Sequence, residues 1–516
     1  MLAVSLSAVV TLSGCNTNLV HVRGQNASIV LSKYRSRPVA AVNGNRMVLT
    51  LHDCTRLALE NNLDIQAQLW DEQVKRSLAS SERLGMLPKV EGKYDLTQRD
   101  RPSFSRSDVL DAEGAFEVSG PGPGTGVTNF STGRERSARA WNAQVKWSPV
   151  DAAMARYNWR IRRNESTYAR YQRVRVAQQL VGTVGAAYYR LLALMECIPK
   201  AKALVADRDK IASDLRALAG KQLITGEEYL EAAAKAVEAR NQLAQIGVDI
   251  RKQRELLAST MNVSPDGCFR LTGRLFPVPP PGMDPCKLEA AALVNRPEAY
   301  QADITFINSL DEQKRLMAKC FPRVEGFYGY FRDENKFVLN RNWFDGGVRI
   351  SWDLMEFAAD LLRYRAAQSK IAKTDSERSL ISMGILSQVR LRYLDAVRAM
   401  DESQKFYELK TKASESLRIA KDREEVTERG APKRIVQIAR QRTMCDLLQA
   451  ELDYLMSSGE VHAAMGNLHA AVGTNYSVAT AHPQEGESDA MSPLPNILSR
   501  LLSPVTQAFT NAFGYF

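Results

Sequence analysis

The feature that most constrains this chain is an internal repeat. The segment ALENNLDIQAQ and the later LPKVEGKYD align without a gap to ALVNRPEAYQA and FPRVEGFYGY, at a constant offset of 234 residues (58 to 292, 88 to 322). The identical pairs are Ala58/Ala292, Leu59/Leu293, Asn61/Asn295, Pro88/Pro322, Val90/Val324, Glu91/Glu325, Gly92/Gly326 and Tyr94/Tyr328. The chain is therefore predicted to consist of two copies of one structural unit.

Each copy changes at its proline from helical spacing to strict alternation of apolar and polar residues. Four such runs occur, at about 88–98, 138–148, 322–331 and 343–353, and Phe327 is an exception within them. This alternation is typical of transmembrane β-barrel strands, and also of an antiparallel sheet with one solvated face. Four of the six tryptophans (Trp141, Trp147, Trp343 and Trp352) lie in or beside these runs. Membrane barrels place aromatic residues at their interfaces, which favours membrane strands.

Four strands cannot close a barrel, and an open sheet edge is not tolerated in lipid. We therefore expect three protomers to share one barrel of twelve strands. The first connection, 99–137, contains GPGPGTG and is predicted to be an irregular polar loop, whereas the second, 332–342, is short. Long loops on one rim are typical of outer-membrane barrels.

Most of the remaining chain is predicted to be helical. Breakers are few and apolar residues recur at helical spacing over 151–261 and 356–472. Each stretch is too long for one globular helix, so we expect reversals at Gly220–Gly226 and at Gly430–Pro432. The resulting helices, of about 50–60 residues, would span about 75–90 Å and pack as coiled coils.

The net charge of +11 and a dense group of arginines raise the question of nucleic-acid binding. The group comprises Arg156, Arg160, Arg162, Arg163, Arg170, Arg173 and Arg175. These side chains share one predicted helix without a groove-like arrangement of stacking aromatic residues, so a solvated helix face is the preferred interpretation. No nucleic-acid partner is predicted.

The cysteines and histidines show no catalytic or metal-binding spacing, and we expect no enzyme activity, no metal and no cofactor. No CxxC pair, nucleophile motif or phosphate loop is present. Cys268 and Cys286 flank the proline-rich segment FPVPPPGMDP. They are predicted either to form a disulfide in an oxidising compartment or to remain independent thiols.

The N-terminus is predicted to be a lipoprotein signal peptide, residues 1–14. The apolar run MLAVSLSAVVTLSGC ends in Leu12-Ser13-Gly14-Cys15, which has the form of a bacterial lipobox with Cys15 as the lipidated residue. No Lys or Arg precedes Cys15, and a mis-assigned start codon is our explanation. No other stretch has the roughly 18 apolar residues of a membrane-spanning helix, so an inner-membrane protein is not predicted.

Together these features resemble the outer membrane efflux protein family, the TolC-like channels, over residues 48–476. The resemblance is carried by LTLHDCTRLALENNLDI and LEAAALVNRPEAY, by the strand entries Leu87-Pro88 and Phe321-Pro322, by the exit Ser351-Trp352-Asp353-Leu354, and by HAAVGTN from His469. The lipobox suits the lipoprotein branch of that family.

The resemblance implies a mainly α-helical homotrimer, with a twelve-stranded barrel in the bacterial outer membrane on a long α-helical coiled-coil barrel that crosses the periplasm. Family members are passive ducts that dock onto a periplasmic adaptor and an inner-membrane pump. The expected function is export of small molecules such as drugs or metals. The alternatives are the exit duct of a type I polypeptide secretion system and a non-conducting scaffold that spans the periplasm.

The predicted division of the chain follows the two repeats. After the signal peptide come an N-terminal linker (15–47), repeat 1 (48–267), the proline-rich junction (268–286), repeat 2 (287–476) and a C-terminal linker with an amphipathic segment (477–516). The amphipathic segment is expected to pack on the equatorial region, or alternatively to contact a partner or the membrane surface.

The periplasmic hairpin tips depart from the family pattern, in which a glycine is soon followed by an aspartate. Glu227 and Glu228 replace the aspartate at the first tip, and Gly430 at the second tip is followed by Lys433 and Arg434. These five residues are the candidate gate or adaptor contacts.

Overall fold

The described part of the protein consists of long helices, one four-stranded sheet and three two-stranded sheets. The computed structural model describes residues 23, 26–30, 32, 41–42, 45–46, 48–101, 103–106, 130–221, 224–263, 269–275, 284–336, 338–426 and 433–475. The helices are α1 (Leu51–Asn61), α2 (Leu63–Leu84), α3 (Pro149–Ala219), α4 (Gly226–Thr260), α5 (Pro285–Asn295), α6 (Pro297–Lys319), α7 (Leu354–Val426) and α8 (Lys433–Val472). The strands are β1 (Ala41–Val42), β2 (Asn45–Arg46), β3 (Val48–Leu49), β4 (Lys89–Gln98), β5 (Ser103–Arg106), β6 (Phe130–Arg134), β7 (Ser137–Trp147), β8 (Arg270–Leu271), β9 (Arg323–Asp333) and β10 (Asn342–Ser351).

The starts of corresponding elements keep the offset found in the sequence. Helices α1 and α5 begin at residues 51 and 285, α2 and α6 at 63 and 297, and β4 and β9 at 89 and 323. Local signals set these starts. Thr50 forms a capping box with Asp53 before α1, and Asn62 caps α2. Pro285 and Pro297 occupy the first turns of α5 and α6, where proline fits without losing a hydrogen bond.

Four of the strands form one antiparallel sheet in the order β4-β7-β9-β10. They lie where the alternation predicts them. The first connection differs from the prediction, because β5 and β6 pair with each other and continue the β4-β7 hairpin beyond the sheet. Because β4 and β7 are antiparallel, the residues that follow β4 and precede β7 lie side by side. They can therefore pair within the segment predicted to be an irregular loop. Its GPGPGTG segment lies outside the described residues.

The reversals fall where glycine and proline predict them, but the two arms of each hairpin are unequal. Helices α3 and α7 have 71 and 73 residues, whereas α4 and α8 have 35 and 40. The prediction of similar helices of about 50–60 residues was therefore wrong. The remaining length beside each long helix is filled by a second short helix: α2 packs beside the first part of α3, and α6 beside the first part of α7.

The short helices end at one level, the equatorial junction, where backbone turns replace helix. Asn262 follows α4 with φ of 54°, and Gly473 follows α8 with φ of 81°. The Asn262 side chain donates to Asn61 O, and the Gln178 side chain donates to both Asn295 O and Gly473 O. The ends of consecutive short helices are thereby tied together beside continuous long helices.

The buried apolar residues form separate clusters along the helical layer. One lies at the equatorial junction between α1, α3 and α4 and includes Leu191 and Leu257; a comparable one joins α5, α7 and α8 around Val389. Helices α3 and α8 approach closely, since a Cβ at Gly182 would lie 2.7 Å from Ala470 Cβ. By length and composition alone, α3 could cross a membrane, but 56% of its most apolar 18-residue window is buried in this packing.

Candidate functional site

The strand register places the apolar residues of all four strands on one face of the sheet. Val90 lies opposite Val145, Val145 opposite Tyr328, and Tyr328 opposite Gly346. This apolar face is exposed in the protomer: Val90 is 77% exposed, and Val348 and Ile350 are 70% and 69% exposed. A contiguous exposed apolar face of this kind needs a partner surface or lipid.

The opposite face, the polar face, carries charges that pair across the strands. Lys146 Nζ donates to Glu91 Oε2 at 2.9 Å across β4 and β7, and Arg323 donates to Glu325 at 3.2 Å within β9. Arg349 lies opposite Glu325, and its guanidinium stacks over the Phe327 ring at 5.2 Å. The polar face can therefore contact water while the apolar face contacts hydrocarbon, as in barrels that enclose an aqueous lumen.

Aromatic side chains occupy both faces of the sheet. Trp141, Tyr330 and Phe344 form a chain of ring contacts on the apolar face, with centroids 5.2 and 5.1 Å apart. Trp147 lies on the same face near the helical end. Trp343, counted with the other strand tryptophans as a sign of membrane interfaces, lies opposite Phe331 on the polar face and stacks on it at 5.7 Å. Its face was not predicted, because proximity to the strand end was considered without the alternation.

Among the residues that the structure describes, none covers either edge of the sheet or either edge of the helical layer. Strands β4 and β10 are the sheet edges. The helical layer has α2 and α4 on the β4 side and α7 on the β10 side, and both sides expose large apolar residues. They are Leu63, Trp70, Val74, Leu78, Leu230, Val237 and Val248 on one side, and Leu362, Leu380, Met383, Leu391, Leu394 and Leu409 on the other.

The structure describes only part of the two hairpin tips. Glu227 and Glu228 lie exposed in the first turn of α4, and Thr225 caps that turn by accepting from Glu228 N. Carboxylates at this position interact favourably with the helix dipole. Lys433 and Arg434 begin α8. Gly430 lies outside the described residues, and the role of all five as gate or adaptor contacts remains a prediction.

The cysteines provide no reactive site in the described part of the chain. Burial raises the pKa of Cys54 and Cys197 to about 12 and that of Cys445 to about 11, so these thiols stay protonated at neutral pH. Cys286 is exposed at the start of α5, whereas Cys268 and Cys15 lie outside the described residues. The disulfide and the lipidation therefore remain predictions. No group of three or more potential metal ligands occurs among the residues described.

Four of the seven arginines of α3 pair with buried or half-buried carboxylates of neighbouring helices, which corrects the interpretation as a solvated face for those four. Arg162 fits that interpretation, since it is exposed and pairs with Glu165 of its own helix. Arg170 and Arg173 both donate to Glu72 of α2, which is only 7% exposed. Arg160 lies 3.2 Å from Asp311, and Arg175 lies 2.6 Å from Glu298, both on α6. Sequence reasoning missed these carboxylates because they are about a hundred or more residues away.

Comparisons with known proteins identify relatives only by structure. No family model and no curated protein matches the chain. The outer-membrane channel OprN matches with a TM-score of 0.63 at 15% identity, covering 82% of this chain and 89% of that one. The CmeC outer membrane channel of Campylobacter jejuni matches at 0.62 and 11%, covering 85% and 92%. The outer membrane protein VceC of Vibrio cholerae matches at 0.60 and 14%, covering 82% and 96%. The protomer therefore has the fold of these outer-membrane channels, as the resemblance predicts, whereas the closed twelve-stranded barrel and the trimer stay predictions.

Proposed function

We propose that this chain, whose fold is that of the TolC-like outer-membrane channels, forms the outer-membrane duct of a tripartite export system. The observation that carries the proposal is the four-stranded sheet, which has one exposed apolar face, one ion-paired polar face and two unpaired edges. The sheet is followed in the chain by helices of 71 and 73 residues, α3 and α7, which extend about 105–110 Å at 1.5 Å per residue. Such a molecule can cross a membrane with its sheet and a periplasm with its helices.

Closure of the sheet requires further copies of the chain. The β10 edge of one protomer would pair with the β4 edge of the next, and the apolar side of α7 would cover the apolar side of α2 and α4. This contact is heterologous, because two different surfaces meet, and such contacts generate rings. Three protomers would give twelve strands and, since each holds two tandem repeats, a ring of six similar units.

The polar face then lines an aqueous lumen, and transport through it is passive. The lipobox at Cys15 favours small-molecule export, with the chain as a lipid-anchored member of the family. An adaptor and an inner-membrane pump would dock at the tips that hold Glu227, Glu228, Lys433 and Arg434. A type I polypeptide exit duct and a non-conducting scaffold are the competing functions.

Cross-linking and conductance test the proposal together. Full-length protein in detergent should cross-link to a trimer and, in planar bilayers, should conduct ions. A monomer or a stable dimer would contradict the architecture, and a trimer without conductance would support the scaffold. Co-purification with a drug or metal pump, rather than with a secretion ATPase and its polypeptide, would separate the two duct functions.

Lipid attachment has its own test. Wild-type protein, produced behind a corrected start or a foreign lipoprotein signal, should incorporate labelled palmitate, and Cys15→Ser should not. The Cys15→Ser variant should still trimerise, because the barrel anchors the protein by itself. An unlabelled wild-type protein would contradict the lipobox.

A further inference from the structure

The polar face of the β9-β10 hairpin carries two sets of aromatic and acidic residues with similar composition. The inner set, nearer the helices, is Phe327, Glu325 and Arg349. The outer set, nearer the turn between the two strands, is Phe331, Trp343 and Asp345. Residues directly opposite each other in the register share a face, which places both sets on the polar face.

The inner set contains its own cation. The Arg349 guanidinium lies 5.2 Å from the centre of the Phe327 ring and 3.9 Å from the Glu325 carboxylate. Gly347 lies opposite Phe327, and a Cβ there would be 3.2 Å from Phe327 Cζ, so the glycine leaves space for the ring to lie across the strand. This geometry, a cation above a ring and beside a carboxylate, is a favourable cation–π arrangement.

The outer set repeats the rings and the carboxylate, but no cation is paired with its carboxylate among the described residues. The next cation along this face is Arg341, which lies opposite Asp333 beyond Trp343. Phe331 and Trp343 stack with their ring centroids 5.7 Å apart and their planes 9° from parallel. Asp345 lies two residues from Trp343 on the same face, opposite Gly329, and a Cβ on Gly329 would be 3.1 Å from Phe331 Cε2. Asp345 is exposed and forms no ion pair with any residue that the structure describes.

We infer that the outer set binds organic cations, such as quaternary ammonium groups, that pass through the lumen. The inference rests on the proposed duct function, because in a duct the polar face contacts the molecules that pass through the lumen. Trp343 is 42% exposed and offers a ring surface, and Asp345 offers the opposite charge. A hydrated metal ion would gain the charge but not the ring contact, so the set should select organic cations over sodium.

The test measures how tetraethylammonium blocks the current of the reconstituted full-length protein, with sodium at the same ionic strength as the reference. Trp343→Leu and Asp345→Asn should each raise the half-blocking concentration about tenfold, the change expected for one lost cation–π contact or one lost ion pair. Trp343→Phe should retain block. Asp95→Asn, which removes a carboxylate from the same face on the far strand, is the matched control and should change nothing.

Three outcomes would overturn the inference. Unchanged block in both variants would show that the set does not contact cations. Equal loss in Asp95→Asn would reduce the effect to overall charge. Asp345→Asn could also weaken the trimer while leaving block unchanged. Asp345 would then pair with a lysine on β4 of the neighbouring protomer rather than with a cation in the lumen.

A second measurement separates this inference from the proposed duct. Calorimetric titration of the detergent-purified protein with tetraethylammonium needs no open path through the molecule. Wild-type protein that binds but carries no current would leave the site standing while the duct failed. Wild-type protein that conducts ions but does not bind tetraethylammonium would overturn the cation site and leave the duct standing. Variants are compared only if they migrate as folded oligomers, and Asp345→Asn alone carries the test if Trp343→Leu does not fold.

Discussion

Val145 on β7 lies directly opposite Tyr328 on β9, whereas the next residue, Lys146, lies opposite Phe327. One step along the strand therefore exchanges the apolar face for the polar face, on which Lys146 Nζ binds Glu91.

The first prediction uses this alternation. Val145→Arg and Val348→Arg should each destabilise the inserted protein by about 2–4 kcal/mol near the bilayer midplane, because they place a charge in lipid. Lys146→Val and Arg349→Val should be milder, since those side chains face the lumen. Folding into lipid vesicles, followed by urea unfolding, gives the free energies. Equal tolerance at all four positions would contradict the face assignment.

The buried carboxylate between α2 and α3 should be essential for stability. Glu72→Gln leaves Arg170 and Arg173 without their shared partner, and breaking a buried ion pair from one side costs about 3–5 kcal/mol. Glu231→Gln breaks the exposed pair with Lys235 and should lower the free energy of unfolding far less, because solvent screens that pair. Denaturant unfolding compares them, and similar losses would show that the Glu72 pairs are not specially stabilising.

Gly473 should not accept a side chain. Its φ of 81° costs an L residue about 1–2 kcal/mol, and a Cβ would lie 2.8 Å from Asn295 O. Gly473→Ala should lower the thermal unfolding temperature. Gly466→Ala, at a helical position of α8 where a Cβ meets nothing within 4 Å, should leave it unchanged or raise it. If Gly466→Ala lowered the unfolding temperature more than Gly473→Ala, backbone strain at the equatorial junction would be ruled out.

Asp453 on α8 should make stability depend on pH. Burial raises the pKa of its carboxyl above the ordinary value, and the hydrogen bond from Gln449 offsets this only in part. A raised folded-state pKa means that the stabilisation is complete below the unfolded pKa of about 4 and is lost as the pH rises through the folded pKa. Asp453→Asn should therefore be more stable than wild type at pH 7, with the advantage shrinking toward pH 4.

Denaturant unfolding of wild type and Asp453→Asn between pH 4 and pH 7 measures this difference. An Asp453→Asn advantage that is constant with pH would assign the effect to packing rather than to ionisation.

Charge reversal at the second tip should alter ion preference or docking. Acidic rings favour cations and basic rings favour anions in narrow pores. Replacing Lys433 and Arg434 together by Glu should shift the reversal potential in a salt gradient toward cation selectivity, or weaken adaptor binding. Lys405→Glu, far from the tip on α7, serves as the control. Wild-type reversal potential, adaptor affinity and export in the double variant would make these residues ordinary surface charges.

The strands of the sheet could be predicted from the sequence because neighbouring residues determine which side chains share a face. Alternation over ten residues reports which side chains share a face, and glycine and proline report where helices reverse. The helix lengths could not be obtained in the same way. The pairing of α2 with α3, rather than a symmetric hairpin, depends on contacts such as Arg170 with Glu72, which are 98 residues apart.

The candidate sites could likewise be predicted only where the information lies in neighbouring residues of the sequence. Trp343 was counted with the other strand tryptophans as a sign of membrane interfaces, and its face was not predicted; the register places it on the polar face opposite Phe331. The outer set of the polar face was not predicted at all, since Phe331 and Asp345 acquire meaning only when β9 and β10 are placed in register. Glu227 and Glu228 are confirmed at the start of a helix, but a single protomer does not test what they contact.

In the proposed duct, the staggered ends of the helices would fix the distance that the molecule can bridge between two membranes. Each long helix runs unbroken past the level at which its two short neighbours meet. Removing turns from a short helix alone would leave that distance unchanged and would shift every downstream ion pair, such as Arg208 with Asp446, out of register. Adaptation to a narrower periplasm therefore requires matched deletions in α3 and α7 and in one short helix beside each, in multiples that restore the facing side chains.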